Sequence, residues 1–173
     1  MKVLGGFILC IIILVVGGII YIYSGNYNVS AKNQDEGLSG WILETTMDNS
    51  VKQHAKDIDF PSLEDSTMIL KGYAYYSRMC SCHGAPGKES NKSFNPQPPE
   101  LYKTADDWKP NELFWIVENG IKMSAMPSFG ETFSDDEIWD VVAFVRVLPK
   151  LTSEDYKNIG ERAKAAGFIE RHQ

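Results

Sequence analysis

The chain has 173 residues and a formal net charge of −6, a length that fits one modest domain with additional segments at its ends. The acidic balance excludes the broad basic surface that nucleic-acid binding requires, so no nucleic-acid partner is predicted. Hydrophobic residues make up 43% of the chain, an ordinary fraction for a globular protein, but they are concentrated near the N-terminus.

The first element is an apolar run, Val3–Tyr23, that is long enough to cross a lipid bilayer. It contains 21 apolar or small residues and no charge, and a helix of that length spans about 31 Å. A cleaved signal peptide is the competing interpretation, although its apolar core has typically only about 7–15 residues. We predict that residues 1–23 form an uncleaved single-pass anchor in the cytoplasmic membrane, with the rest of the chain on its periplasmic or outer face.

Residues 24–64 predict a tether followed by a short helical lead-in. Residues 24–40 are rich in Asn, Gly and Ser and show no apolar periodicity, as is typical of flexible linkers. A short helix is expected to begin near residues 48–50 and to end before Pro61.

Three longer helices are predicted in the main part of the chain. The first begins near Asp65 and runs into a pair of cysteines. The second lies between Pro110 and Gly120, because proline favours the start of a helix and glycine its end. The third begins at the capping box of residues 134–137 and is expected to stop at Pro149.

We assign residues 65–150 to one domain and residues 151–173 to a C-terminal helical extension that packs on it as a lid. Residues 83–109 are irregular, and so long an irregular segment in a compact domain usually has a function. No convincing strand pattern is present, so the predicted fold class is all-α.

The sulfur and imidazole side chains are concentrated in the sequence Cys80-Ser81-Cys82-His83. In the C-x-x-C-H motif, two thiols add to the haem vinyl groups and the histidine binds the iron. Here the spacer is one residue shorter, and a disulfide between such close neighbours would be strained. Met126, 43 residues after His83, lies at a distance where a small haem domain supplies its second iron ligand. The spacing therefore predicts one covalently bound c-type haem with His83 and Met126 as iron ligands.

The same segment resembles class I cytochrome c, in particular the single-haem domains that an N-terminal helix tethers to a bacterial membrane. Besides the attachment motif, the matching features are Gly72, Tyr76, the glycine-led methionine loop at residues 120–127, and Phe144 of the last helix. This resemblance implies three core helices around a haem, His/Met ligation, and one-electron transfer without substrate chemistry. It also implies that the backbone carbonyl of Pro99 accepts a hydrogen bond from the iron-binding histidine.

The shortened motif is compatible with one thioether bond or with two. The spacing of Gly72 and Tyr76 before Cys80 favours Cys80 as the first attachment point. Helical geometry favours Cys82 alone, because residues two apart on an α-helix are separated by about 200° and Met79 would then occupy the first position. Both possibilities stay open at this point.

The predicted function is electron transfer rather than enzymatic catalysis. Residues 3–23 would hold the domain on the bilayer, and its partners would be a redox donor and acceptor, or the other subunits of a membrane respiratory complex. A copper-binding protein is the alternative, because the Cys80, Cys82 and His83 cluster and the Met123/Met126 pair offer soft ligands. A peroxidase-like haem enzyme would need an open sixth coordination position, against which Met126 argues.

Overall fold

The computed structural model describes residues 2–32 and 37–169, and the chain divides into two compact units, Met1–Ala31 and Lys32–Gln173. Within the described residues there are seven α-helices and one isolated β-bridge, between Ala85 and Lys88. The predicted all-α fold class is therefore confirmed. In chain order the helices are α1 (Lys2–Tyr23), α2 (Leu38–Ala55), α3 (Ser66–Met79), α4 (Leu101–Thr104), α5 (Pro110–Asn119), α6 (Asp135–Val147) and α7 (Ser153–Ala165).

Helix α1 exposes its apolar side chains. Its segment Val3–Tyr23 has a mean hydropathy of 3.0 and is long and apolar enough to cross a membrane. A charge-free helical segment with an apolar surface on every side is typical of a membrane span.

In the second unit, α3 and α6 form the most extensive helix pair. Helix α3 begins where the sequence predicted, and Asp65 caps it by accepting a hydrogen bond from the Thr67 N–H at 2.7 Å. The two helices touch at Gly72, where a Cβ atom would lie 1.9 Å from the backbone oxygen of Asp140. Phe144 lies beside this contact, with its ring 5.2 Å from that of Tyr76. Glycine is therefore required where the backbones meet.

Helices α5 and α6 complete the core, and their ends follow the sequence signals. Pro110 is the first residue of α5, and Gly120 ends it with φ +67°. Ser134 and Glu137 form the predicted capping box of α6. Helix α6 ends at Val147, two residues before the predicted end at Pro149. Pro149 itself lies inside a 3₁₀ turn, Leu148–Lys150, that follows α6 directly.

The sequence placed the start of α2 about ten residues too late. The helix begins at Leu38, inside the segment predicted to be a tether, rather than near residues 48–50. Its C-terminal end packs on α5, where Val51 and Ala55 are fully buried and the Asn111 side chain donates a hydrogen bond to the Ala55 carbonyl at 2.7 Å. Contacts distant in sequence therefore stabilise a helix whose N-terminus lacks a side-chain cap.

The segment predicted to be irregular contains α4 and a 3₁₀ turn, Ala105–Asp107. Arg146 of α6 holds this region in place. Its guanidinium donates to the carbonyls of Ala105 and Trp108 at 3.3 and 3.2 Å and pairs with Asp106 at 3.1 Å. These helical pieces are too short to give a periodic sequence signal.

Helix α7 packs on α3, with the rings of Tyr156 and Tyr73 5.0 Å apart and Ala163 fully buried. The predicted helical extension is thus present, although residues 170–173 lie outside the described part of the chain.

Candidate functional site

The two cysteines and the adjacent histidine lie in a tight turn directly after α3. Cys80 is the C-cap residue of α3, and its N–H donates to the Tyr76 carbonyl at 2.9 Å. Its backbone, at φ −99° and ψ 12°, departs from α-helical geometry. Ser81–His83 then form a 3₁₀ turn in which the His83 N–H donates to the Cys80 carbonyl at 2.9 Å. The chain is therefore wound more tightly across the motif than an α-helix would be.

Contacts on both sides fix the position of this turn. The buried Tyr76 hydroxyl of α3 donates to the Gly84 carbonyl at 2.8 Å, and the Asn91 N–H donates to the Cys82 carbonyl at 2.9 Å. Gly84 has φ +74°, and a Cβ there would lie 2.4 Å from the Lys88 carbonyl oxygen. The family resemblance singled out Tyr76 by its spacing before Cys80, but no pattern in the sequence reveals the contact of its hydroxyl.

The imidazole of His83 is oriented by a backbone carbonyl. Its Nδ1 lies 2.9 Å from the oxygen of Pro99, the partner that the family resemblance implied. Because a carbonyl only accepts, Nδ1 carries the proton and Nε2 keeps its lone pair. Burial lowers the pKa of His83, and the hydrogen bond to Pro99 opposes that shift only in part. The ring is therefore held in the neutral form that binds metals.

The two thiols differ in their surroundings. Cys80 is buried, with 6% of its surface exposed, whereas Cys82 is half-buried. Burial, and to a smaller extent the nearby Cys82 thiol, raises the pKa of Cys80 to about 12, so this thiol is protonated at neutral pH. Cys80 also borders a narrow void whose other lining residues are Met79, Val117, Phe129, Phe133, Glu137, Ile138 and Val141. All but the glutamate are apolar.

Met126 lies half-buried in a loop that the C-terminus of α5 holds tightly. Its N–H donates to the Ser124 hydroxyl at 3.1 Å, and its carbonyl accepts from the Ile121 N–H at 3.1 Å. A Cβ on Gly120 would lie 2.8 Å from that carbonyl and 2.6 Å from the Pro127 backbone. Glycine is therefore needed where the loop folds back, and the backbone of Met126 is fixed with it.

Met123 and His54, which could compete as iron ligands, differ from Met126 and His83 in their surroundings. Met123 is 74% exposed, and its φ of +61° places it in the left-handed region. His54 donates from Nδ1 to its own helix, 2.7 Å from the Ser50 carbonyl oxygen, and stacks on Trp115 with the ring centroids 5.5 Å apart. His54 thus has a packing role between α2 and α5.

These residues suit a covalently bound haem. A neutral imidazole with a free Nε2 and two thiols beside it match the donors that such a group requires, and the apolar side chains packed around Cys80 match its surroundings. No group of three or more His, Cys, Asp and Glu side chains in residues 2–32 and 37–169 is arranged to hold a bare metal ion.

Comparison with known proteins agrees with this chemistry. Residues 67–145 match the family described as "Cytochrome C oxidase, cbb3-type, subunit III". No curated protein and no solved structure matches the chain. The family match does not favour the copper-binding alternative, and it indicates an electron-transfer protein rather than a catalytic enzyme. Residues 67–145 therefore form a class I cytochrome c domain, a domain whose family carries covalently bound c-type haem and transfers electrons.

Proposed function

We propose that the protein is a membrane-tethered one-electron carrier in which His83 and Met126 are the axial ligands of a single haem c. The hydrogen bond between His83 Nδ1 and the Pro99 carbonyl supports this proposal best. It fixes the tautomer and the ring orientation of the histidine next to both thiols, which is what an iron-binding histidine requires.

Of the two methionines in the loop, Met126 fits the ligand role better than Met123. It is half-buried on a fixed backbone, whereas Met123 is exposed. The bound haem supplies the Fe(II)/Fe(III) couple, and a thioether ligand favours the reduced state and so raises the reduction potential.

We further propose that both Cys80 and Cys82 form thioether bonds. On an α-helix their side chains would diverge by about 160°, but a 3₁₀ turn, with about 120° per residue, brings them to within about 120°. Cys80 leaves α-helical geometry and a 3₁₀ turn follows it. The tighter winding supports a contracted motif that still presents two thiols to one group.

The tether and the partners form the last part of the proposal. Val3–Tyr23 would remain on the protein and place the haem domain at the outer face of the cytoplasmic membrane. The family match implies redox partners in a respiratory complex, so we propose that the domain passes electrons within or to such a complex.

Paired methionine substitutions test the ligand assignment in protein matured with covalently bound haem. Met126→Ala should abolish the weak red-end absorption that methionine ligation gives ferric haem. It should also lower the potential by on the order of 0.1 V, a fraction of the roughly 0.8 V over which axial ligands shift haem potentials. Met123→Ala, the matched control, should change neither. If the band survives Met126→Ala and disappears in Met123→Ala, the assignment is reversed; if no covalent haem is found at all, the proposed function is wrong.

A further inference from the structure

The N-terminal end of α2 carries an exposed apolar face that its contacts with the domain do not explain. Leu38, Trp41 and Ile42 are 72%, 62% and 47% exposed. At about 100° per residue they lie on one side of the helix within about 100° of one another. Among the described residues after Leu38, the other large hydrophobic side chains that are exposed are Leu43, Phe60 and Met123. The three residues are therefore a local concentration of exposed apolar surface.

This face, which we call the α2 apolar face (Leu38, Trp41 and Ile42), is separate from the surface through which α2 packs on the domain. The packing contacts come from the other end of the helix, at Val51, His54 and Ala55. Val51 and Trp41 are ten residues apart, so about 15 Å of helix lies between them. The apolar face can therefore contact another surface while the far end of α2 stays packed on α5.

Polarity along α2 changes in the direction that a lipid surface would require. Residues 37–43 carry no charge, and the first charged residue of the helix is Glu44. Further along, the continuation of the same side is polar and includes Thr45, Asn49 and Lys52. On this side of α2, hydrophobic residues are thus confined to the end of the helix that is nearer in sequence to α1.

The length of the chain between α1 and α2 limits how far this face can be from the bilayer. Fourteen residues separate Tyr23 from Leu38, and a fully extended chain of that length spans at most about 50 Å. Tryptophan has an apolar body and one polar N–H, and it is enriched at the interface between membrane and water. A helix whose apolar side chains include tryptophan can lie in that interface.

We propose that the α2 apolar face inserts into the outer surface of the same bilayer that α1 spans, and so holds the haem domain close to the membrane. This inference rests on the proposed membrane tether. No basic residue lies in residues 37–43, so the contact depends on apolar burial and not on anionic lipids.

Brominated-lipid quenching in proteoliposomes of the full-length holoprotein tests the proposal. The Trp41 signal is the emission of the wild-type protein minus that of Trp41→Phe, which separates it from the other three tryptophans. In phosphatidylcholine vesicles, lipid brominated near the glycerol end of its chains should reduce the Trp41 signal about twofold or more, consistent with shallow burial. High salt should not change this result, and acrylamide in the water should quench the signal weakly.

A matched pair of substitutions tests whether this face is responsible. Ile42→Asn should remove most of the lipid quenching of Trp41, whereas Leu43→Asn, about 100° away on the same turn, should leave it unchanged. Both variants should still float with the vesicles through α1. Equal effects of the two variants would overturn the proposal.

The remaining outcomes separate this inference from the tether on which it rests. If the protein floats but acrylamide, and not the brominated lipid, quenches Trp41, the tether stands and the interfacial contact is wrong. If neither quencher reaches Trp41, another protein surface covers the face, and the lipid assignment is again overturned. If the full-length protein does not float at all, both the tether and the interfacial contact fail.

Discussion

Asp140 is a buried acid in the contact between α6 and α3. Only 6% of its surface is exposed, and burial raises the pKa of its carboxyl to about 6. The carboxylates of Asp65, Asp136 and Glu137 add to this shift, and Lys71 opposes it. The folded protein therefore holds a proton on Asp140 at a pH where the unfolded chain has released it.

The direction of this pKa shift predicts a loss of stability between about pH 4 and pH 6. As the pH rises through this window the unfolded chain loses its proton first, so the free energy of unfolding falls, and above about pH 6 it levels off. Asp140→Asn should remove this pH dependence of the free energy of unfolding. We expect the variant to gain about 1–2 kcal/mol at pH 7 and little at pH 4. Thermal unfolding at the two pH values measures the difference, and an equal gain at both would contradict the assignment.

The contracted motif gives the second prediction for individual residues. Inserting one alanine between Cys80 and Ser81 restores the C-x-x-C-H spacing and leaves the sequence from Ser81 onward unchanged. If both cysteines already form thioethers, the reduced pyridine haem spectrum, which reports unreacted vinyl groups, should be the same before and after insertion. Cys80→Ala should then shift that spectrum to the one-vinyl form. A wild-type spectrum in Cys80→Ala would show that Cys82 alone holds the haem.

The crossing of α3 and α6 yields a prediction for these two helices. In Gly72→Ala the new methyl group would overlap the Asp140 backbone, which can move only if the helices separate. We expect a loss of about 3 kcal/mol in the free energy of unfolding, at the upper end of the usual cost of overpacking. Gly160→Ala in α7 is the control, because its Cβ would meet the far end of the Tyr73 side chain at 2.5 Å. The better helix propensity of alanine offsets part of that clash, so its loss should be under about 1 kcal/mol. Denaturant unfolding compares the two, and similar losses would contradict a backbone contact at Gly72.

The sequence predicted those helices whose ends are marked by local chemistry. Asp65, Pro110 and the Ser134–Glu137 capping box act within one turn, so α3, α5 and α6 could be placed from residue types alone. Helix α2 begins without a side-chain cap, and its burial depends on α5, about 60 residues away. That kind of support cannot be read from a local pattern.

The same distinction applies within the candidate site. His83 and its cysteines are adjacent in sequence and form a recognisable motif, and the family resemblance supplied Pro99 as the partner of the imidazole. The Tyr76–Gly84 hydrogen bond and the 3₁₀ winding of the motif depend on how the following loop returns to α3. Side-chain identity alone specifies neither the hydrogen bond nor the 3₁₀ conformation, so both became visible only in the structure.

For the whole molecule, the proposed tether predicts that no signal peptidase removes residues 1–23. If Val3–Tyr23 is retained, the mature protein should still contain residues 3–23 and should fractionate with membranes. High salt or carbonate should not extract it, because burial of an apolar helix does not depend on charge. Detergent should release it.

Replacement of α1 should leave haem attachment intact but slow the reaction of the domain with its membrane partners. A variant in which a cleavable signal peptide replaces residues 1–31 should still acquire haem, and should appear in the soluble exported fraction with the same optical spectrum as the full-length protein. Its electron transfer to membrane partners should slow, because a tethered domain meets them at an effective concentration in the millimolar range when the linker is short. The rate at which isolated membranes reoxidise the reduced haem measures this loss, and it is compared between the full-length protein and the soluble variant added free in solution. N-terminal sequencing of the natural protein decides the starting point: a first residue near Lys32, together with soluble protein, would contradict the anchor.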